Sequence, residues 1–365
     1  MNDSQFLKSL EEAGAKFGPT IAPSGARVFN NGAQSNDALQ GVLDFGDALA
    51  EYEALTGGVG VADFSRRTHI VLTGADRAAF LHNMCTNQIR DLKPGAGCEA
   101  FLTNAQGHVL AHVHVLCHDE MLAIETVPDQ EPKLLAWLDR YLIREKVELL
   151  GQSEPWAELL LAGQNSSEIL KSFSIDAPQR LLDHISSKIG AVSVDVCRVE
   201  MTRGGGFLIR CDRESLADVW TQLRAAGATQ CGATAVEMAR IEAGTPYFGP
   251  DITDKNLPQE IGRDARAISF VKGCYIGQET VARIDALGHV NRTLTGVSIE
   301  TNAPPAPETE LIAAGKSVAQ VTSSALSPRL GRALALAYVR RGSNTPGTQL
   351  ESPAGAAHVV ALPLA

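Results

Sequence analysis

Short runs of alternating apolar and polar residues, broken by glycine and proline, set the texture of this chain from Gly60 onward. Residues 68–72, Thr-His-Ile-Val-Leu, read as a strand stopped at Gly74. Asp76 then stands as an N-cap before the helical spacing of Ala78, Phe80, Leu81 and Met84. Residues 101–103 and 109–116, joined by a turn at Gln106-Gly107, read as a hairpin. Residues 121–126 add a strand, and 132–142 an amphipathic helix containing Trp137. The texture then recurs less clearly, with a strand at 157–162, a helix at 166–172, a strand pair at 192–199 and 206–210, and a helix at 215–225. Strand–helix–strand–strand occurring twice predicts two packed α+β units. After Gly288 the pattern changes to short β-type runs at 295–299, 319–323, 333–339 and 358–362, punctuated by Pro304-Pro305, Pro328 and Gly342. No convincing helix lies among them, which predicts a small antiparallel barrel. A division near 285–289 follows, giving units of 40–150, 151–287 and 288–365. Residues 19–40, rich in Gly, Pro, Ser and Asn, read as a loop or extended lead-in.

Composition narrows the classes. A chain of 365 residues exceeds what one core fills, so two or three domains are expected. Its 44% hydrophobic and 20% charged content is that of an ordinary globular protein. A net charge of −10 argues against a general nucleic-acid binder and against an acidic membrane surface as partner. Residues 1–18 lack the apolar run and small-residue site of a secretory signal, and no apolar stretch approaches the roughly 20 residues of a membrane span. The seven cysteines (85, 98, 117, 197, 211, 231 and 274) are widely spaced without a C-x-x-C pair. That spacing suits a reduced, cytoplasmic compartment and argues against a zinc knuckle.

Candidate chemistry concentrates in Lys272-Gly273-Cys274-Tyr275-Ile276-Gly277-Gln278-Glu279-Thr280. Glycines 273 and 277 leave the backbone open to a ligand or to positive φ, and Lys272 favours the thiolate of Cys274. The competing reading is a glycine-containing turn with an incidental thiol. His108, His112, His114 and His118 share strand parity and stand beside Cys117, a pattern open to a metal site, a polar outer face or a channel wall. The second and third readings are favoured, so no metal is expected. Gly204-Gly205-Gly206 precedes a strand rather than a helix, which favours a bulge or tight turn over a phosphate cradle.

The K-G-C-Y-x-G-Q-E stretch resembles the signature of the YgfZ family, folate-binding proteins related to the glycine-cleavage T-protein and implicated in iron–sulfur protein maintenance. Further likeness to the T-protein superfamily runs along the chain. It includes Gly60-Val61-Ala62-Asp63-Phe64-Ser65, then Gly74, Phe80-Leu81 and Asn87. Arg240-Ile241-Glu242-Ala243-Gly244 with Pro246, Gly249 and Asp251 resembles the R-x-E-x-G segment, and residues 319–339 resemble the C-terminal barrel. The resemblance implies an α+β fold of two ferredoxin-like-type units around a central channel, plus an antiparallel β-barrel. It implies tetrahydrofolate, or a one-carbon derivative, in the channel. Arg240, Glu242, Tyr275, Gln278 and Glu279 are the implied folate contacts, with Cys274 a reactive thiol served by Lys272. The competing reading of Arg240 is a salt bridge to Glu242 or a neighbour. Iron–sulfur client or assembly proteins are the implied partners, with tRNA modification supported indirectly.

Departures from the superfamily pattern bear on catalysis. Ala111 and His112 occupy the hairpin positions where aminomethyltransferases carry paired aspartates, and Gly204 replaces a pterin-contacting glutamate. An imidazole does not reproduce a fixed anion facing a developing iminium. Loss of glycine-cleavage activity is therefore expected, with an accessory role in iron–sulfur assembly or repair leading. A folate-dependent one-carbon transferase and a non-catalytic folate-sensing module are the alternatives.

Overall fold

The computed structural model describes residues 3–19 and 40–364. The lead-in read at 19–40 therefore falls almost wholly outside the described residues. Two large sheets, a closed barrel and a small two-stranded sheet of Lys16–Pro19 with Gln40–Asp44 make up the described residues. The five-stranded sheet runs in the order Gly97–Thr103, Val109–Cys117, Leu122–Thr126, Thr68–Thr73 and Glu148–Gly151, antiparallel throughout. The six-stranded sheet runs in the order His184–Ile189, Val192–Val199, Gly206–Asp212, Trp156–Ala162, Gly60–Asp63 and Thr229–Gln230. Only its last pairing is parallel. Gly60–Asp63 precedes every strand of the five-stranded sheet yet pairs in the other one, so the two sheets interleave along the chain.

Alternation explains the layering. In Trp156–Ala162, Ala157, Leu159 and Leu161 enter one apolar cluster with the helix Leu216–Ala225, while Leu160 and Ala162 enter a second on the opposite face. A strand buried on both faces reads as a continuous apolar run, as WAELLLA nearly does. In the five-stranded sheet Ile70, Leu72, Ala111, Val113, Val115, Leu122 and Ile124 pack against the helices Arg77–Met84 and Glu131–Asp139. Leu116 and Ala123, on the other face, join Leu160, Leu208 and Cys197 between the sheets. The residues of opposite parity on both sheets therefore meet in one interior layer.

The barrel closes through Arg292–Ile299, Arg332–Arg340, Lys316–Ser327, Glu310–Ala313, Gln349–Ser352 and Gly355–Val360. Every pairing is antiparallel, and closure removes the exposed edges an open sheet would leave. Asp76 does sit at the N-cap position, but its side chain makes no cap bond and accepts instead from Lys146 N at 2.8 Å. Two helices lack a readable apolar stripe, Ala48–Thr56 and Ala233–Ala243, and the helix Gln278–Leu287 falls outside the segments read as helical from sequence. Ala233–Ala243 buries Arg240 and Glu242 together with Ala235, Val236, Ala239 and Ile241, so charged residues interrupt its pattern. Gln278–Leu287 buries Val281 alone.

Candidate functional site

Strand register assembles two polar rows that face each other between the sheets. On the five-stranded sheet Glu99 lies opposite His114, His114 opposite Glu125, and Glu125 opposite His69. On the six-stranded sheet Asp195 lies opposite Arg210, and Arg210 opposite Glu158. Each residue is remote from the next in sequence. A polar side chain placed at one inward position per strand, in register, creates a line of charge across the interior.

Beside these rows lies a cavity of about 40 Å³. Glu99, His112, His114, Glu125 and Thr126 come from the five-stranded sheet; Arg263, Arg266 and Tyr247 close it from the later segment. Arg67 and the apolar side chains of Val127, Leu182, Val199 and Met201 complete the wall.

Two electrostatic groups are distinct. His112 Nε2 donates to Glu99 Oε1 at 2.7 Å, and Arg263 forks onto the same carboxylate, with Nη2 2.6 Å from Oε2. Burial opposes ionisation of Glu99, but His112 and Arg263 outweigh it and hold the carboxyl well below its usual range. His114 is pushed down to about 3 by burial and by Arg67, so it is a neutral imidazole, with Nδ1 lacking a partner. The second group lies deeper. Arg210 donates to Asp195 Oδ2 at 2.5 Å and to Glu125 Oε1 at 3.4 Å, and its guanidinium stacks 4.1 Å from the Trp156 ring. Arg67 Nε stands 3.0 Å from Glu158 Oε2. Burial and the nearby Glu125 charge raise the Glu158 carboxyl to about 8. Burial, with Arg210 and Arg67 adding to it, drives His69 well below the ordinary histidine range.

The residues singled out from sequence lie elsewhere. Arg240 is fully buried where its helix meets the barrel, not in the cavity wall. Nε and Nη2 donate to Glu237 at 2.6 Å each, Nη1 to Asp251 at 2.8 Å and to Thr245 O at 2.9 Å, and Nη2 to Ser323 Oγ at 2.9 Å. All five guanidinium donors are thus engaged, and its face lies 4.7 Å from Tyr247, which does line the cavity. Glu242 does not pair with Arg240; it accepts from Tyr52 Oη and Ser327 Oγ.

Lys272 is bound to backbone carbonyls. Its Nζ is buried and donates to the carbonyls of His82, Cys85 and Asn87 at 2.5, 2.6 and 2.7 Å. All three ammonium protons are held by these carbonyls rather than by the Cys274 thiol. Tyr275 packs among Phe101, Val109, Ile252 and Ile268. Gln278 is half-buried at the start of its helix, and Glu279 is exposed. Cys274 is exposed, Cys98 is half-buried and the remaining five cysteines are buried. None of the motif's residues lines the cavity. The motif braces the hairpin tip instead: Thr103 Oγ1 donates to Ile276 O at 2.5 Å and Thr280 Oγ1 to Gln106 O at 2.9 Å.

The four histidines do not converge. His112 and His114 line the cavity with ring centres 6.4 Å apart, whereas His118 stacks on His184 at 4.4 Å. Among the glycines 204–206, Gly205 takes φ +65°, as the turn reading requires. Glu99, Glu125, Glu158, His69, Arg67 and Arg210 were not singled out from sequence, and Arg263, whose Arg263-Asp264-Ala265-Arg266 cluster reads as a solvated face or surface ion pairs, instead turns inward onto buried Glu99. The available signal was a lone acid within an apolar strand, as in WAELLLA and LAIET.

Comparison with known proteins places this architecture. The GCVT N-terminal domain matches residues 6–272, and the glycine cleavage T-protein C-terminal barrel domain matches residues 292–364. A putative chloroplastic transferase of Arabidopsis thaliana is 26% identical over 336 residues, covering 91% of this chain and 75% of the relative. An aminomethyltransferase of Rippkaea orientalis is 27% identical over 317 residues, covering 85% of this chain and 86% of the relative. The fold is shared with the glycine cleavage system aminomethyltransferase T of Bartonella henselae, at a TM-score of 0.83 and 19% identity over 98% of this chain and 96% of that one. Among the described residues no helix is long and apolar enough to cross a membrane. With both of its domains matched in order along almost the whole chain, this protein belongs to the glycine-cleavage T-protein family.

Proposed function

We propose that this chain is a reduced-folate-dependent one-carbon transferase of the T-protein type, working at the cavity between the two sheets. The observation that carries the reading is Glu99. Sequence comparison within the hairpin leaves Ala111 and His112 without a carboxylate, yet the adjacent strand delivers Glu99 to His112 at 2.7 Å. Held ionised by His112 and Arg263, Glu99 becomes an anion of the kind that stabilises a developing iminium cation once Arg263 is drawn off it. Relatives named aminomethyltransferase over 85% of this chain support the same class.

The lining suits a reduced folate chemically. Leu182, Val127, Val199, Met201 and Tyr247 offer apolar walls, Thr126 and the carboxylates offer polar contacts, and Arg263 and Arg266 would serve the ligand's own carboxylates by exchanging Glu99 and Glu200 for them. The volume of about 40 Å³ holds a water or two, so a pterin needs the pocket to widen. Calorimetry with tetrahydrofolate should show binding, and incubation with an aminomethyl-loaded lipoyl carrier should convert tetrahydrofolate to its methylene form. Glu99→Gln should bind folate but lose turnover by about a hundredfold or more. Wild-type protein that binds no folate would overturn the reading.

A second reading, a YgfZ-like accessory protein of iron–sulfur assembly or repair, is favoured by one observation. Cys274 is exposed on a turn that also exposes Phe270 and Val271, a surface available to a client protein. One thiolate does not hold a cluster by itself, so a partner supplies the other ligands. Folate binding without turnover, together with loss of iron–sulfur enzyme activity in a deletion strain that Cys274→Ser fails to restore, would select this reading. Cytoplasmic location belongs to both readings.

A further inference from the structure

We infer that His69, Glu125 and Glu158 form a binding site for one divalent transition-metal ion, in the deep part of the interior layer. Each offers a ligand atom, and these atoms all lie within 4.8 Å of one another. They come from three strands of both sheets, Thr68–Thr73, Leu122–Thr126 and Trp156–Ala162. All three residues are essentially without solvent contact.

The orphaned atoms argue for a ligand here. Both ring nitrogens of His69, Oε2 of Glu125 and both carboxylate oxygens of Glu158 lack a hydrogen-bond partner. More than about nine in ten buried polar groups find a partner, so four unpartnered atoms in one cluster, with Glu158 Oε2 meeting only Arg67 Nε at 3.0 Å, argue for an occupant. Donors bound at about 2.0–2.2 Å to a tetrahedral ion stand about 3.4 Å apart, so small side-chain rotations from the present spacing would close the site. One imidazole and two carboxylates suit zinc, manganese or ferrous iron, whereas calcium takes six or more oxygens and magnesium keeps most of its waters. Three protein ligands leave a coordination position open, and Glu125 is shared between this cluster and the cavity wall.

The neighbouring charges permit it. Arg67 and Arg210 face the cluster, but Asp195 draws Arg210 to its own side at 2.5 Å. Arg67 approaches Glu158 without a hydrogen bond, its Nε remaining unpartnered.

The test uses the full chain without folate, so its result is independent of the transferase reading. Chelator-stripped protein is loaded with Zn²⁺, dialysed, and its metal content measured. The expected result is about one ion per chain, retained by Cys274→Ser and weakened at least about tenfold in His69→Ala and in the near-isosteric Glu158→Gln. Loading with Co²⁺ should give the visible bands of a nitrogen–oxygen site without a thiolate charge-transfer band. Wild-type protein that retains no zinc overturns the assignment, and so does equal retention by folded Glu158→Gln.

Discussion

Arg240 and Lys272 are buried cations whose hydrogen bonds tie separate segments of the protein together. Each has every donor committed to the protein: Arg240 to Glu237, Asp251, Thr245 and Ser323, Lys272 to three carbonyls. Asp251 further accepts from Tyr247 N at 3.0 Å and Thr322 Oγ1 at 2.6 Å, which ties Arg240 to both the cavity wall and the barrel. Breaking a buried ion pair from one side leaves its partners uncompensated, a loss of about 3–5 kcal/mol. Arg240→Met should therefore lower the urea midpoint severely, while any change in folate affinity follows from displacement of Tyr247. A stability loss below about 1 kcal/mol would show that Arg240 is not the structural tie the geometry describes.

At the scale of elements, the same period-2 rule that fills the cores also lines up the polar rows, because register places one inward polar residue of each strand beside the next. The hairpin tip shows what else register demands. Gly277 takes φ +82°, and a Cβ there would lie 2.4 Å from Asn104 O and 2.9 Å from Gly107 Cα. Gly288 takes φ +73°, with nothing within 4 Å of such a Cβ. Both glycines are needed for the left-handed turn, but only Gly277 is also needed for space. Gly288→Ala should cost about 1–2 kcal/mol, the left-handed penalty alone. Gly277→Ala should cost clearly more, by thermal or urea denaturation. Equal losses would mean that the motif does not press on the hairpin as described.

For the whole molecule, Glu242 links the helix Ala48–Thr56, through Tyr52, to the barrel strand ending at Ser327, and Leu364 N donates to its backbone carbonyl at 2.9 Å. Such buried polar ties make stability depend on pH. His82 is pushed down to about 4, first by burial and then by Lys272. Its folded pKa thus lies below the ordinary value of about 6.5, so the unfolded chain binds a proton that the native protein refuses. The contribution is present above pH 6.5 and is lost as pH falls toward 4, at up to about 1.4 kcal/mol per pH unit. Glu158, raised to about 8, acts with the opposite sign as pH falls from 8 to its unfolded value near 4.5, so the total slope is a difference of terms. His82→Gln isolates one of them. Its stability should fall less steeply than wild type between pH 6.5 and 4, and an unchanged slope would refute the assignment.

Much of the architecture is legible along the chain. Strand alternation at 109–116, the short apolar runs at 68–72 and 157–162, the hairpin glycine at 107 and the change of texture after Gly288 depend on local periodicity and turn chemistry, which one segment carries within itself. The helix Ala233–Ala243 is not legible, because it spends its inward positions on Arg240 and Glu242 and so hides its apolar face. The site is a tertiary product. Glu99, His114, Glu125 and His69 become neighbours only through the pairing of four strands, and Glu158 joins them only when the second sheet packs on top. Whether a buried acid meets an arginine, a histidine or nothing is set by register and by the opposing layer, and neither is written in the spacing of any one strand.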